Sequence, residues 1–321
     1  ERFETGRNFC NKLWNASRFA LMNLDGYEAG PVSIEEAPVE DRWILSRLSH
    51  TAAEVTRLLE VYQFDAATRT LRDFTWNEFC DWYVEMLKPR LADESRRPMA
   101  QRMLVGVLDA LIRLLAPTIP YLAEELWSRL AELAPSRGLP EPVETSGCVI
   151  EASWPEPPSE WRDTDLEGRF ARLQETIQAV RNLRSVYNIP RKTRLRLLIR
   201  CEETVGAALS EIAGQFENLA NTELVEAGPG VESPEGAASF TLEDADGFIP
   251  LEGIIDRQAE STRHQRELDK LTGVIAGQEK KLANADFVEK APAEVVEQVR
   301  ETLGGLKQQA ESLRKIIEQL K

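Results

Sequence analysis

Three asparagines, a lysine and a phenylalanine share one face of the helix that apolar periodicity predicts over residues 4–24. At 3.6 residues per turn this face covers an arc of about 100°. It is formed by Asn8, Asn11, Lys12, Asn15 and Phe19, with Arg18 at its edge. Carboxamides can read the edges of bases, cations meet phosphates, and exposed aromatic rings stack on unpaired bases. Because asparagine is a poor helix former, this face indicates either a nucleic-acid contact or side chains that tie the helix to its neighbours.

A second candidate surface is a local excess of positive charge. The 321-residue chain has a formal net charge of −15, which taken whole argues against phosphate binding. Residues 161–200, however, hold ten basic and four acidic residues, whereas residues 201–253 hold twelve acidic residues and no lysine or arginine. Residues 1–160 carry a net charge of −9, and residues 254–321 are neutral. This layout fits a protein that touches a polyanion on one side only, with ordinary surface charge as the alternative for any single residue.

The first candidate surface is positioned by a predicted bundle of helices. Further apolar periodicity places helices at 40–62, 66–91, 98–116 and 119–133, joined by short loops. The helix over 66–91 is apolar around much of its circumference, which is typical of a central helix. We interpret Trp76, Trp82 and Tyr83 as core residues of that helix. Its polar stripe, formed by Asn77, Asp81 and Glu85, is a candidate for contacts between helices.

The second half of the chain has a different pattern. The proline-rich residues 135–161 are predicted to form a linker or an extended segment. A helix over 164–187, a strand over 195–199, a helix over about 203–220 and three short strands then predict a small α+β module. Those three strands are expected near residues 223–227, 238–242 and 248–251.

The last 68 residues contain two heptad runs. The first has its seam at Ser261, His264, Leu268, Leu271, Ile275, Gln278, Leu282 and Ala285, and the second at Val296, Val299, Leu303, Leu306, Ala310, Leu313, Ile317 and Leu320. Two heptad runs separated by a short break predict an antiparallel coiled-coil hairpin, in which each helix of about 28 residues reaches roughly 40 Å. His264 and Gln278, as polar seam residues, are expected to set the register.

Composition excludes several classes of protein. With 42% hydrophobic and 29% charged residues, the chain is expected to be soluble and folded, and it lacks an apolar run long enough to cross a bilayer. Cys10, Cys80, Cys148 and Cys201 have no spacing typical of metal binding, so reduced thiols are expected. We identify no catalytic residue and no metal-ligating set. The first residue is Glu1, from which we predict a piece of a longer chain.

Six segments of the sequence resemble valyl-tRNA synthetases. Residues 6–19, 74–85 and 116–127 resemble the anticodon-binding domain of that family, residues 180–184 the module that follows it, and residues 250–253 and 287–296 its C-terminal arm. The first three motifs are shared loosely with isoleucyl and leucyl relatives, whereas the hairpin favours the valyl family. A corresponding part of an isoleucyl or leucyl enzyme, and a non-catalytic coiled-coil interaction protein, are the alternatives.

The resemblance implies a mainly α fold in three parts. It implies a helical-bundle anticodon-binding domain at 1–160, a small α+β module at 161–253 and a coiled-coil arm at 254–321. In this family the whole enzyme uses ATP and magnesium to join valine to tRNA(Val), whose anticodon has A and C as its second and third bases. The HIGH-type and KMSKS-type motifs of its catalytic domain do not occur here, so this part is expected to be inactive alone and to hold no cofactor.

The resemblance also assigns roles to the two candidate surfaces and to the arm. Contacts with the anticodon are expected from Asn8, Lys12, Asn15, Arg18 and Phe19. Contacts with the tRNA backbone are expected from Arg181, Arg184, Arg191 and Lys192, and from Arg263, Arg266, Lys270, Lys280 and Lys281 on the arm. The expected partner is tRNA(Val), with no DNA and no membrane, and a monomer in the cytoplasm is the expected state.

Overall fold

The computed structural model describes residues 2–255, 257–284 and 291–319. The chain divides into two compact units, Glu1–Leu173 and Gln174–Lys321. The boundary predicted at residue 160 lies within the first unit, and the one predicted at residue 253 lies within the second. Among the described residues, no helix combines the length and the apolar character that crossing a bilayer requires.

The first unit is the predicted bundle of helices. Its elements are α1 (Arg2–Met22), α2 (Val39–Glu60), α3 (Phe64–Asp73), a π-helical segment (Phe74–Tyr83), α4 (Val84–Ala92), α5 (Arg97–Leu115) and α6 (Pro120–Leu133). The helix predicted over 66–91 is therefore helical throughout, but its middle ten residues have the wider π geometry, with bonds from residue i to residue i+5. The amide of Val84 accordingly donates to the carbonyl of Phe79.

The central helix of the bundle is α5 rather than the helix predicted to be central. Ten consecutive residues of α5, 103–112, are buried, so every side of the helix faces other elements. In the π-helical segment Tyr83 is fully buried, whereas Trp76 and Trp82 are only half-buried. The prediction failed because aromatic residues count as apolar in the sequence, although an indole ring can lie half in water at the rim of a core.

An ion cluster is buried where α2 meets α4. The guanidinium of Arg90 donates to Asp41 at 2.7 Å and to Glu40 at 3.2 Å. The Tyr83 hydroxyl donates to the second oxygen of Asp41 at 2.8 Å. All four side chains are buried, so each polar group depends on the others for hydrogen bonds.

The proline-rich residues 135–161, predicted as a linker or an extended segment, are largely extended but are packed on the bundle rather than loose. The segment forms a hairpin of two short antiparallel strands, β1 (Ser136–Arg137) and β2 (Val143–Glu144), each of two residues. Two short turns of 3₁₀ helix follow. Arg137 is fully buried and donates to Asp109 of α5 at 2.8 Å. The indole of Trp154 donates to Thr56 of α2 at 2.8 Å. These two contacts fix the segment on the bundle. Its prolines disfavour regular helix and strand, but they do not prevent its side chains from packing.

The second unit contains the predicted α+β module. The boundary helix α7 (Thr164–Val186) is followed by β3 (Leu195–Cys201), α8 (Glu203–Glu211), α9 (Ala213–Ala220), β4 (Thr222–Gly228), β5 (Ala237–Thr241) and β6 (Ala245–Pro250). The sheet order is β4-β3-β6-β5, with β3 and β4 parallel and the other pairs antiparallel. Leu195, Leu197 and Ile199 are buried while Arg196 and Arg200 are exposed, the alternation of a strand with one covered face.

The heptad runs form α10 (Arg257–Ala283) and α11 (Ala293–Gln319), which pack against each other. Every described seam position from Ser261 to Leu282 and from Val296 to Ile317 is buried or half-buried. Ala285 and Leu320 lie outside the described residues. Leu268, Ala310 and Ile317 form the best-buried cluster of the seam, and Lys307 of α11 makes an ion pair with Glu279 of α10 at 2.7 Å.

Because His264 lies buried in the seam, we expect the stability of the second unit to depend on pH. His264 is buried, its ring lies edge-on to Tyr187 with centroids 6.2 Å apart, and Arg263 contacts its Nε2 at 3.1 Å. Burial and then the Arg263 charge lower the pKa of His264, against the weaker opposing pull of Glu260 and Glu267. Because the unfolded chain binds a proton more readily, stability should fall as pH drops below about 6.5.

The expected result is a melting temperature that decreases from pH 7.5 to pH 5.5, with part of the decrease abolished by His264→Gln. Circular dichroism at both pH values measures it. Equal pH dependence in the two proteins would show that His264 does not titrate during unfolding.

Candidate nucleic-acid interface

The face of α1 with three asparagines is open to solvent. Asn8, Asn11, Asn15 and Arg18 are all exposed, while Leu13, Ser17 and Ala20 on the opposite side are buried. Within the described part of the chain the three carboxamides make no hydrogen bond. The asparagines therefore do not tie α1 to its neighbours, and their polar groups remain available to a ligand.

Lys12 lies on the same face but already has partners. Its ammonium group is 2.5 Å from Asp81 Oδ1 and 4.0 Å from the centre of the Trp76 ring. The contact of Asp81 with α1 agrees with the polar stripe expected to join helices. Trp76 and Asp81 are five residues apart, which places them about 140° apart around an α-helix. The wider turn of the π-helix, in which residue i bonds residue i+5, brings them closer to one side. The π geometry thus brings both side chains to one lysine.

Phe19 sits beside a second charged group. Lys88 of α4 lies 5.5 Å from the centre of the Phe19 ring and makes an ion pair with Glu85 at 2.6 Å. Phe19 is half-buried, so one part of its ring packs on the bundle and the rest can meet a ligand. Sequence reasoning did not select Trp76 or Lys88 for this site, because their side chains reach α1 only through the packing of separate helices.

The basic region of residues 161–200 is only partly a surface. Arg184 is buried and donates to the carbonyls of Pro190, Ala220 and Asn221 at 2.8–3.0 Å. It therefore closes the end of α9, whose last carbonyls have no partner within the helix. Burial and these three hydrogen bonds give Arg184 a structural role, and they leave its guanidinium poorly placed for the predicted contact with the tRNA backbone.

Most of the other basic residues of this region are exposed, whereas Arg169 and Arg172 are half-buried. Arg181 donates to the carbonyl of Leu219 at 3.1 Å, and Arg191 and Lys192 lie at the turn before β3. Arg194 makes an ion pair with Glu217 at 2.6 Å, so part of the acidic stretch at 201–253 neutralises the basic one. Of the four cations predicted to contact the backbone here, Arg191 and Lys192 remain best placed for a phosphate.

On the arm, the predicted cations fall into two groups. Arg263 makes an ion pair with Glu260 at 2.6 Å and donates to the carbonyl of Val186 at the end of α7. It therefore holds the base of α10, and its role as a contact for the tRNA backbone stays a prediction. The remaining four, Arg266, Lys270, Lys280 and Lys281, are exposed.

Two family models match the chain. A model described as the anticodon-binding domain of tRNA ligase matches residues 41–199, most of the bundle and the start of the α+β module. A model described as the valyl tRNA synthetase tRNA binding arm matches residues 256–321, the coiled-coil hairpin. The fold and the hairpin expected from the sequence are thus confirmed by independent family patterns.

Curated relatives cover nearly the whole chain. The valine–tRNA ligase of Rhodopirellula baltica is 43% identical over 98% of this chain and 30% of its own length. Those of Thermotoga maritima and Bacillus subtilis are 39% and 36% identical over 99% and 94% of this chain. The chain spans about a third of the length of these relatives. It belongs to the valyl-tRNA synthetase family, of which it carries the anticodon-binding domain and the tRNA-binding arm.

Proposed function

We propose that this chain secures tRNA(Val) for a valine–tRNA ligase. In this proposal the exposed face of α1 reads the anticodon through Asn8, Asn15 and Arg18, beside Lys12 and Phe19. The observation that carries the proposal is that this face presents three asparagine carboxamides with no partner among the described residues of the bundle. Asparagine lowers the stability of a helix, so its presence at three positions on one face favours a function there. The family models and the relatives' names support it.

The proposal extends to the whole enzyme of which this chain would be a part. That enzyme would join valine to tRNA(Val) with ATP and magnesium, both bound outside these residues. The chain alone would be inactive and would need no cofactor to hold tRNA. The cytoplasm is the compartment where this function is needed. A monomer is supported by the seam of the arm, which α10 and α11 fill within one chain, and light scattering can test it.

A gel shift against a set of tRNA transcripts tests the binding function. We expect the chain to retain tRNA(Val) at low salt and to bind less tightly when the second or third anticodon base is replaced. The interaction should weaken steeply with salt, because phosphate contacts release counterions. No binding to any tRNA at low salt would refute the proposal.

Replacing Asn15 with alanine should reduce discrimination among anticodons more than overall affinity. A well-placed carboxamide contributes about 1–3 kcal/mol of discrimination between bases, so the preference for the valine anticodon should fall about tenfold or more. Competition between tRNA(Val) and an anticodon-substituted transcript measures it. Asn218→Ala, an exposed asparagine of α9, is the control and should leave the preference unchanged. Equal loss for both transcripts would mean that Asn15 does not read a base.

A further inference from the structure

The outer face of α10, opposite the seam, is a continuous basic surface. At 3.6 residues per turn its members share an arc of about 100°: Arg266, Lys270, Gly273, Gly277, Lys280 and Lys281. The four cations are exposed, and none of them makes an ion pair with a described residue. No acidic side chain occupies this arc in the described part of α10. From Arg266 to Lys281 the surface extends about 22 Å along the helix.

The outer face of α11 has the opposite character. Its first half presents Glu294, Glu297 and Glu301, all exposed. The cations of α11 are largely neutralised: Arg300 pairs with Glu297 at 3.4 Å, Lys307 with Glu279 at 2.7 Å and Lys315 with Glu311 at 3.5 Å. The arm is therefore neutral as a whole but positively charged on one of its two helices only.

Two glycines interrupt the basic surface. A Cβ atom added at Gly273 or at Gly277 would meet no atom of the described chain within 4 Å, so packing within the arm does not require glycine at either position. Glycine in a helix interior destabilises it relative to alanine. Between Lys270 and Lys280, about 15 Å apart along the axis, the helix backbone is consequently bare, and a bulky ligand can approach it closely.

We propose that the arm binds RNA on the outer face of α10 alone, with the ribose–phosphate backbone lying across Gly273 and Gly277 between the two groups of cations, while α11 faces solvent. This inference rests on the proposed tRNA-binding function and assigns it to one side of the arm. Charge complementarity selects a polyanion as the occupant. A groove of about 400 Å³ beside this face is lined by Leu271, Val274 and Ile316. Lys270 lies at its rim, so an apolar helix packed into the groove would bury the Lys270 ammonium group without a partner.

Paired charge reversals in the full chain test which helix binds. Lys270→Glu with Lys281→Glu alters the α10 face, and Arg314→Glu with Lys315→Glu makes the same change in net charge on α11. With a tRNA(Val) transcript, the α10 variant should lose about tenfold or more in affinity and about two units of salt slope, one for each phosphate contact. The α11 variant should lose much less of both.

Matched glycine substitutions separate close approach from helix stability. Gly277→Gln on α10 and Gly305→Gln on α11 both replace an exposed helix glycine, so both should raise the melting temperature. Only Gly277→Gln should also weaken tRNA binding, by about threefold or more, because its side chain covers the bare backbone. A stabilised Gly277→Gln variant that keeps full affinity would contradict the close approach.

The outcomes distinguish this inference from the function on which it rests. Failure of the unaltered chain to bind tRNA at low salt would remove both. Binding by the unaltered chain, together with equal losses in the α10 and α11 variants, would overturn the one-sided assignment and leave tRNA binding intact. Chain association that Lys270→Glu abolishes, with unchanged tRNA affinity, would identify a second copy as the occupant and would likewise overturn it.

Discussion

Replacing Arg90 with methionine should lower the free energy of unfolding by about 3–5 kcal/mol, the cost of leaving one side of a buried ion pair unpaired. Arg90 supplies the only guanidinium that the described structure places on both Glu40 and Asp41. Without it two carboxyl groups remain in the core, where a charge is poorly solvated. Urea unfolding followed by circular dichroism measures the loss.

The pH dependence of this loss identifies its cause. Burial already raises the pKa of Asp41, and Arg90 opposes that rise. In the variant the pKa of Asp41 should rise further, so its folded state should bind more protons than its unfolded state and lose stability as pH increases. The difference from the unaltered chain should thus grow from pH 5 to pH 8.

An exposed ion pair provides the control for Arg90. Arg57 pairs with Glu54 on the surface of α2 at 2.7 Å, so Arg57→Met should cost far less stability than Arg90→Met, because water screens an exposed ion pair. If Arg90→Met cost no more than Arg57→Met, the buried cluster would not stabilise the bundle.

Replacing Arg184 with methionine should lower the stability of the second unit by about 3 kcal/mol without changing how tRNA binding depends on salt. Three carbonyls, those of Pro190, Ala220 and Asn221, would lose a charged donor, and buried groups left without a partner cost about 1–3 kcal/mol each before relaxation. Urea denaturation measures the change in stability, and gel shifts at several salt concentrations measure the salt dependence of tRNA binding. Both are carried out at a temperature below the melting transition.

Arg191→Glu should give the reverse pattern. Arg191 is exposed, so stability should change by less than about 0.5 kcal/mol, while the salt slope of tRNA binding should fall by about one unit. A loss of salt slope in Arg184→Met at intact fold would restore Arg184 as a backbone contact.

The fold was predictable where one periodicity governed a long stretch. The heptad seam from Ser261 to Ile317 was read from spacing alone, because each helix of the arm packs on one partner. The central helix was misassigned, since aromatic residues such as Trp76 raise the apolar count without being fully buried. The fixed conformation of the proline-rich segment depends on Arg137 and Trp154 reaching α5 and α2, which are contacts that local sequence does not encode.

The candidate site was predictable in its residue types and less so in its geometry. The exposed arc of α1 followed from 3.6-residue spacing. Arg184, by contrast, was indistinguishable in sequence from its neighbour Arg181, because burial depends on where the end of α9 lies. The contact of Lys12 with both Trp76 and Asp81 was hidden for another reason: an α-helical period places those two residues on different sides.

The π-helical segment constrains the length of the chain more than its composition. Each residue in a wide turn advances the chain by less than the 100° of an α-helix, and the deficit accumulates over Phe74–Tyr83. The orientation of α4, including Arg90, is set by that accumulated rotation. Deleting one residue here would turn Arg90 away from Asp41 and Asp81 away from Lys12 together. Insertions and deletions should therefore be rare in this segment among relatives, even where its side chains vary.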